Sequence, residues 1–132
     1  NDQIKSRDFW MPFAASILDS YEKKYIVNPK GIKAEFMILG FDTTPLGKKE
    51  LPSSIHPYDF TCRPQIVRKE TNPAYYKLIK YFEKISGVGA ILNTSFNLHG
   101  EPIVYTPSDA LSVFERSALE YLALGNYLIW KK

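Results

Sequence analysis

Apolar and polar positions follow two different periods along this chain, and the switches between them mark out its elements. Ile17, Leu18 and Tyr21 fall at i, i+1 and i+4, a spacing that predicts a helix over about residues 15–24. The run Glu-Phe-Met-Ile-Leu-Gly at 35–40 reads as a buried strand. Residues 42–58 carry three prolines and little periodicity, which predicts a long excursion with one helical turn. Residues 61–68 read as extended, with Pro64 marking an edge or irregular position. Asn72-Pro73 opens the clearest helix, Asn as its N-cap and Pro at its first position. Tyr75, Leu78, Ile79, Phe82 and Ile85 form its apolar stripe, and Gly87 follows its end. Short apolar strands are expected at 88–92 and 103–105. Thr106-Pro107-Ser108-Asp109 has the pattern of a capping box with Asp as the acid, starting a helix to about residue 117 on Ala110, Leu111 and Phe114. Residues 121–130 read as a strand pair turning at Gly125-Asn126. Strands and helices alternate, so the fold class is α/β or a mixed-sheet α+β.

Length and composition narrow the picture. The 132 residues, 45% of them hydrophobic, suit one globular domain. The formal charge of +3 is spread along the chain and mixed with acids, which suits small anions such as phosphates better than a nucleic-acid backbone. Cys62 is the only cysteine, so an internal disulfide and a multi-cysteine metal site are both excluded. No apolar run is long enough to cross a membrane and no signal-peptide pattern opens the chain, so a cytoplasmic setting and no membrane partner are expected. The first residue is Asn1 rather than Met, and the chain is expected to be a piece of a longer protein.

Three groups of residues carry candidate chemistry. Asn93-Thr94-Ser95-Phe96-Asn97 follows the strand expected at 88–92, and open α/β sheets bind ligands at the carboxyl ends of strands. Asn and Ser donate to phosphate or carbonyl oxygens without bringing in a charge that needs burial. In the turn that follows, Gly100 permits close backbone approach and Glu101 supplies an acid. A polar loop whose Asn and Ser merely cap turns has the same composition. In the second group, Asp59, Thr61, Arg63 and Gln65 alternate along an extended segment and so point to one face. Arg63 can clamp a phosphate with two prongs, although a solvated edge strand has this pattern too. His56 nearby is a candidate general acid or phosphate ligand, where a single histidine is more often an ordinary hydrogen-bonded residue. In the third, Lys5 and Arg7 precede the aromatic anchor Phe9-Trp10-Met11-Pro12-Phe13, which can hold them toward a pocket; terminal cations are also commonly mobile. No P-loop, dinucleotide fingerprint or zinc-ligand spacing occurs.

In this order and spacing the groups resemble the nodulation-type O-carbamoyltransferases of nodulation-factor, cephamycin and aminoglycoside pathways. The likeness rests on Lys5-x-Arg7-Asp8, Trp10-x-Pro12-Phe13-Ala14-x-Ser16 and His56-x-x-Asp59-x-Thr61-x-Arg63-x-Gln65. It continues through Asn72-Pro73, Leu92-Asn93-Thr94-Ser95-Phe96-Asn97, Gly100-Glu101-Pro102-Ile103-Val104, Thr106-Pro107-x-Asp109-Ala110 and Leu124-Gly125-x-Tyr127-Leu128. It departs at Met11, Ala15 and Phe60, where the family commonly has Arg, Pro and Gly.

The resemblance implies the family's C-terminal domain, with a YrdC-like fold: an open, twisted mixed β-sheet with flanking helices. It implies that carbamoyl phosphate and ATP, with Mg²⁺ as part of the substrate, give carbamoyl adenylate and pyrophosphate on this domain. A separate N-terminal domain, with an actin-like ATPase fold and a metal expected to be iron, would then transfer the carbamoyl group to a hydroxyl. Carried over motif by motif, Lys5, Arg63 and Ser95 are the expected catalytic residues. Arg7, Thr61, Asn93, Thr94 and Asn97 would bind substrate, and His56, Asp59, Gln65 and Glu101 are further candidates. No metal site and no nucleic-acid partner are expected here. The alternative is a non-catalytic YrdC-like module that holds nucleotide or RNA.

Overall fold

The strand Ala14–Leu18 (β1) organises the larger half of the molecule. In a computed structural model, residues 4, 5, 8 and 10–132 are described. The chain divides into two compact units, Pro12–Thr94 and a unit made of Asn1–Met11 with Ser95–Lys132. In the first, β1 pairs in parallel with Gln65–Val67 (β4) and antiparallel with Ala90–Asn93 (β5), giving the sheet order β4-β1-β5.

Every residue of β1 is buried, which corrects the helix expected over 15–24. A strand covered on both faces carries no alternation, and Ala-Ala-Ser-Ile-Leu contains good helix formers, so its apolar spacing imitates a helix. Helix survives only as a 3-10 turn at Asp19–Tyr21 and the single turn Glu22–Tyr25 (α1). One face of the sheet buries Ala15, Ile17, Ile66 and Ala90 among Tyr25, Phe41 and Cys62. The other presses Leu18 and Val67 against Ile79 of Pro73–Ser86 (α3). Each fully buried Leu or Ile contributes about 1.5–3 kcal/mol.

Local chemistry sets the bounds of α3. The Asn72 side chain accepts from the Tyr75 N–H, and Gly87 closes the helix at φ 78°. Of the expected stripe only Ile79 is buried; Tyr75 is half-buried, and Leu78, Phe82 and Ile85 are exposed. The buried strand expected at 35–40 does not form. Met37 takes φ 57°, a left-handed break that ends extended structure, and Phe36 and Ile38 are 73% and 77% exposed. The excursion after it contains Phe41–Asp42 (β2), which pairs with Thr61–Cys62 (β3), and the short helix Pro45–Glu50 (α2). Gly47 lets α2 lie against α1, because a Cβ there would run into the Tyr25 carbonyl oxygen.

In the second unit, Pro107–Arg116 (α4) has the expected capping box. Thr106 Oγ1 accepts from the Asp109 N–H while the Asp109 carboxylate accepts from the Thr106 N–H. The helix buries Ala110, Val113 and Phe114, and Leu111 lies outside that face. Tyr121–Leu124 (β6) and Tyr127–Trp130 (β7) form the expected hairpin, with Gly125 at φ 60° in the turn. Residues 103–105 are not a strand; Ile103 and Tyr105 are exposed and lack a ladder partner. Small sheets and short helices together make an α+β fold. No helix among the described residues is long and apolar enough to cross a membrane.

Candidate functional site

Lys5 is 6% exposed, unusual for a lysine. Its Nζ donates to the Ser95 carbonyl oxygen at 2.6 Å, the Asn97 carbonyl oxygen at 2.8 Å and Asn97 Oδ1 at 2.8 Å, with Ser95 Oγ 3.3 Å away. Ser95 Oγ in turn donates to Asn97 Oδ1 at 2.6 Å, and Asn97 Nδ2 donates to the Glu101 carbonyl oxygen at 2.7 Å. The backbone N–H of His99 closes the turn onto the Lys5 carbonyl oxygen. An ammonium desolvated in this way is tolerable only because oxygens surround it. It fixes a loop on which Ser95 is exposed.

Glu101 does not face this loop with its carboxylate. It holds Arg116 in a two-pronged pair, Oε1 to Nη1 at 2.6 Å and Oε2 to Nη2 at 2.9 Å. Hydrogen bonding from Arg116 lowers the Glu101 pKa below the ordinary carboxylate value. Glu101 therefore links the turn to α4. Arg7 lies outside the described residues.

In the unit Pro12–Thr94, Ser16, Gln65 and Asn93 stand in a row across the three-stranded sheet. Ser16 Oγ donates to Gln65 Oε1, Asn93 Nδ2 donates to both Ser16 Oγ and Gln65 Oε1, and Tyr75 Oη donates to Ser16 Oγ, each at 2.9 Å. Gln65 and Asn93 were legible as candidates. Ser16 closes a sequence block to which no role attaches, and Tyr75 falls on the apolar stripe expected of α3. Strand register sets Ser16 opposite Gln65 and Asn93 opposite Ala14, and Tyr75 reaches Ser16 from α3.

His56, Asp59 and Thr61 form a hairpin turn. His56 N–H donates to the Thr61 carbonyl oxygen and Phe60 N–H to that of His56, so two residues oppose one, as in a β-bulge. The bulge position that favours glycine is held by Phe60 at φ 59°. Asp59 Oδ1 accepts from both the N–H and the hydroxyl of Thr61, and these bonds lower its pKa. His56 Nδ1 lies 3.3 Å from Asp59 Oδ1, close enough for ionic attraction but without hydrogen-bond geometry. Pro64 interrupts the extended segment, so Thr61 belongs to β3 and Gln65 to β4. The single face expected for Asp59, Thr61, Arg63 and Gln65 is thereby split between two sheets. Arg63 is exposed and forms no side-chain bond among the described residues, and Thr94 is likewise exposed.

Burial pushes the Cys62 thiol up to about 11, which makes it a packing residue rather than a nucleophile. Among the described residues no group of three or more His, Cys, Asp or Glu side chains is arranged to hold a metal ion.

Comparison with known proteins finds relatives over part or all of the chain. An uncharacterised protein of Methanocaldococcus jannaschii is 41% identical over 99% of the chain and 25% of its own length. A nodulation protein of Sinorhizobium fredii is 36% identical over the whole chain and 19% of its own length. A 3'-hydroxymethylcephem-O-carbamoyltransferase of Amycolatopsis lactamdurans is 32% identical over 52% of the chain and 13% of its own length. The chain thus spans about a quarter or less of these relatives. The family described as carbamoyltransferase C-terminus matches residues 1–131, and the chain belongs to that family.

Proposed function

We propose that this carbamoyltransferase C-terminal domain makes carbamoyl adenylate for transfer to a hydroxyl. Atom balance sets the chemistry. Water releases inorganic phosphate from carbamoyl phosphate, and a carbamate oxygen then attacks the α-phosphorus of ATP and expels pyrophosphate. The steps need charge neutralisation and alignment more than covalent catalysis.

The observation that carries the reading is the buried Lys5 ammonium gripped by Ser95 and Asn97 oxygens. It sets a fixed positive charge beside the hydroxyl of the exposed Ser95, which favours a phosphate oxygen there. In this reading Arg63, an exposed guanidinium with no side-chain bond among the described residues, clamps phosphate in two-pronged fashion. Mg²⁺ arrives with ATP and needs no all-protein cage. Transfer, its acceptor and its metal belong to a separate N-terminal domain.

The test is pyrophosphate release from ATP that depends on carbamoyl phosphate, measured on this chain and on the longest gene product that contains it. Arg63→Ala should abolish release and leave the melting temperature nearly unchanged. Absence of carbamoyl phosphate-dependent release from both wild-type proteins rejects the proposal.

A further inference from the structure

The sheet face beneath α3 changes character partway along its strands. Leu18 and Val67 meet Ile79 there, but two residues earlier Ser16 and Gln65 stand opposite each other in register. Ser16 is fully buried and its hydroxyl is saturated, donating to Gln65 and accepting from Tyr75 and Asn93. Asn93 commits both amide hydrogens to Ser16 and Gln65. Left over are Asn93 Oδ1, an acceptor, and Gln65 Nε2, a donor. Neither has a hydrogen-bond partner among the described residues. Neither is sealed from solvent, since the one fully buried side-chain nitrogen or oxygen without a partner among those residues is His56 Nδ1. Turning both amides over would exchange the two roles and still leave one acceptor and one donor.

We propose that Asn93 and Gln65 seat the planar H₂N–C=O of the carbamoyl group, with Ser16 and Tyr75 as positioning residues. The inference rests on the reaction proposed above and names the groups that recognise its carbamoyl donor. A carbamoyl group offers an N–H donor and a carbonyl acceptor, the complement in type of the two unused atoms. An acetyl group puts a methyl where the N–H would be and leaves the Asn93 acceptor unpaired. A site built around a polar group rejects the analogue that lacks it for this reason.

The experiment uses the full protein and measures pyrophosphate release with carbamoyl phosphate and, separately, acetyl phosphate. Gln65→Glu keeps the oxygen that Ser16 and Asn93 need and removes the free donor; Gln65→Met removes the donor without adding charge but also removes that oxygen. Both should raise KM for carbamoyl phosphate about ten-fold or more with KM for ATP near wild type; the melting temperature should stay near wild type in Gln65→Glu and fall in Gln65→Met, where the buried Ser16 hydroxyl loses its acceptor. Tyr75→Phe should raise the same KM a few-fold, and Tyr75→Leu more. A carbamoyl phosphate KM within about two-fold of wild type in folded Gln65 variants overturns the proposal, as does an equal rise in both KM values. Should wild type release no pyrophosphate, the reaction falls and the seat is judged by calorimetry with the same two acyl phosphates. Preference for carbamoyl phosphate that Gln65→Met removes sustains it, and no preference ends it.

Discussion

The unit Pro12–Thr94 buries Ile17, Leu18, Ile66 and Ile79 almost completely. The unit of Asn1–Met11 and Ser95–Lys132 buries, among its described apolar side chains, only Ala110, Val113, Phe114 and Leu122, and leaves Tyr105, Tyr127 and Trp130 open. What the second lacks in apolar burial it replaces with point contacts. Lys5 grips the Ser95–Asn97 loop, Glu101 pairs with Arg116, and Lys131 bonds the Ser117 carbonyl oxygen. The two units should therefore fail differently, the first when a side chain is hollowed out and the second when a charge is removed or neutralised.

The largest effect should come from the sheet centre. Ile17→Ala deletes a side chain with no exposure at all, and should cost about 2–5 kcal/mol in urea unfolding followed by far-ultraviolet circular dichroism. A loss under about 1 kcal/mol would show that β1 is not the core it resembles. Next in size, Lys5→Met keeps the aliphatic stem but leaves the Ser95 and Asn97 carbonyl oxygens without their donor. That should cost about 1–3 kcal/mol and raise amide hydrogen exchange across residues 94–101, with α3 unaffected. Exchange rising equally in α3 would erase the contrast between the units.

Acid should separate them without any substitution. Glu101 is held below its ordinary pKa by Arg116, and Asp109 by the Thr106 N–H and hydroxyl. A folded pKa below the unfolded one means stability present above the unfolded carboxylate range and lost as pH falls through the folded value. In the other unit Glu83 is lowered in the same direction by Lys80 and Tyr21, but there apolar burial supports the fold independently. Both tryptophans, Trp10 and Trp130, belong to the weaker unit. On acidification below about pH 4, tryptophan fluorescence should change at a higher pH than the amide-exchange protection of α3. Coincident transitions would mean that the units unfold as one.

The parts of this fold legible in the sequence are those whose cause is local. Thr106 and Asp109 make their capping box three residues apart, Asn72 caps its own helix, and Gly125 turns its own hairpin. Where the cause is distant the pattern misled. β1 has no alternation because two cores cover it, and the apolar run at 35–40 finds no partner strand. The candidate site divides in the same way. Ser95, Asn97, Gln65 and Asn93 stand out by residue type. That Lys5 holds the first two and Ser16 the others depends on contacts spanning 49 to 92 residues, which no local window contains.

The smallest expected effect tests the stronger unit where its backbone is least at ease. Phe60 occupies the left-handed bulge position at φ 59°. The conformation costs an ordinary residue about 1 kcal/mol or more and costs glycine almost nothing. Its ring is half exposed and accepts Lys48 Nζ at 4.4 Å from the centroid, a contact worth about 0.5 kcal/mol at such a site. Phe60→Gly loses that contact and loosens the unfolded chain, but removes the backbone cost, so it should leave stability within about 1 kcal/mol of wild type. Phe60→Ala loses the same contact and keeps the backbone cost. The glycine variant should therefore be the more stable of the two by about 1 kcal/mol, read from urea midpoints at equal m-value. The bulge hydrogen bonds from Phe60 to His56 and from His56 to Thr61 should protect their amides equally in both variants. An alanine variant as stable as the glycine one would mean that residue 60 bears no left-handed cost, and the bulge assignment would fall with it.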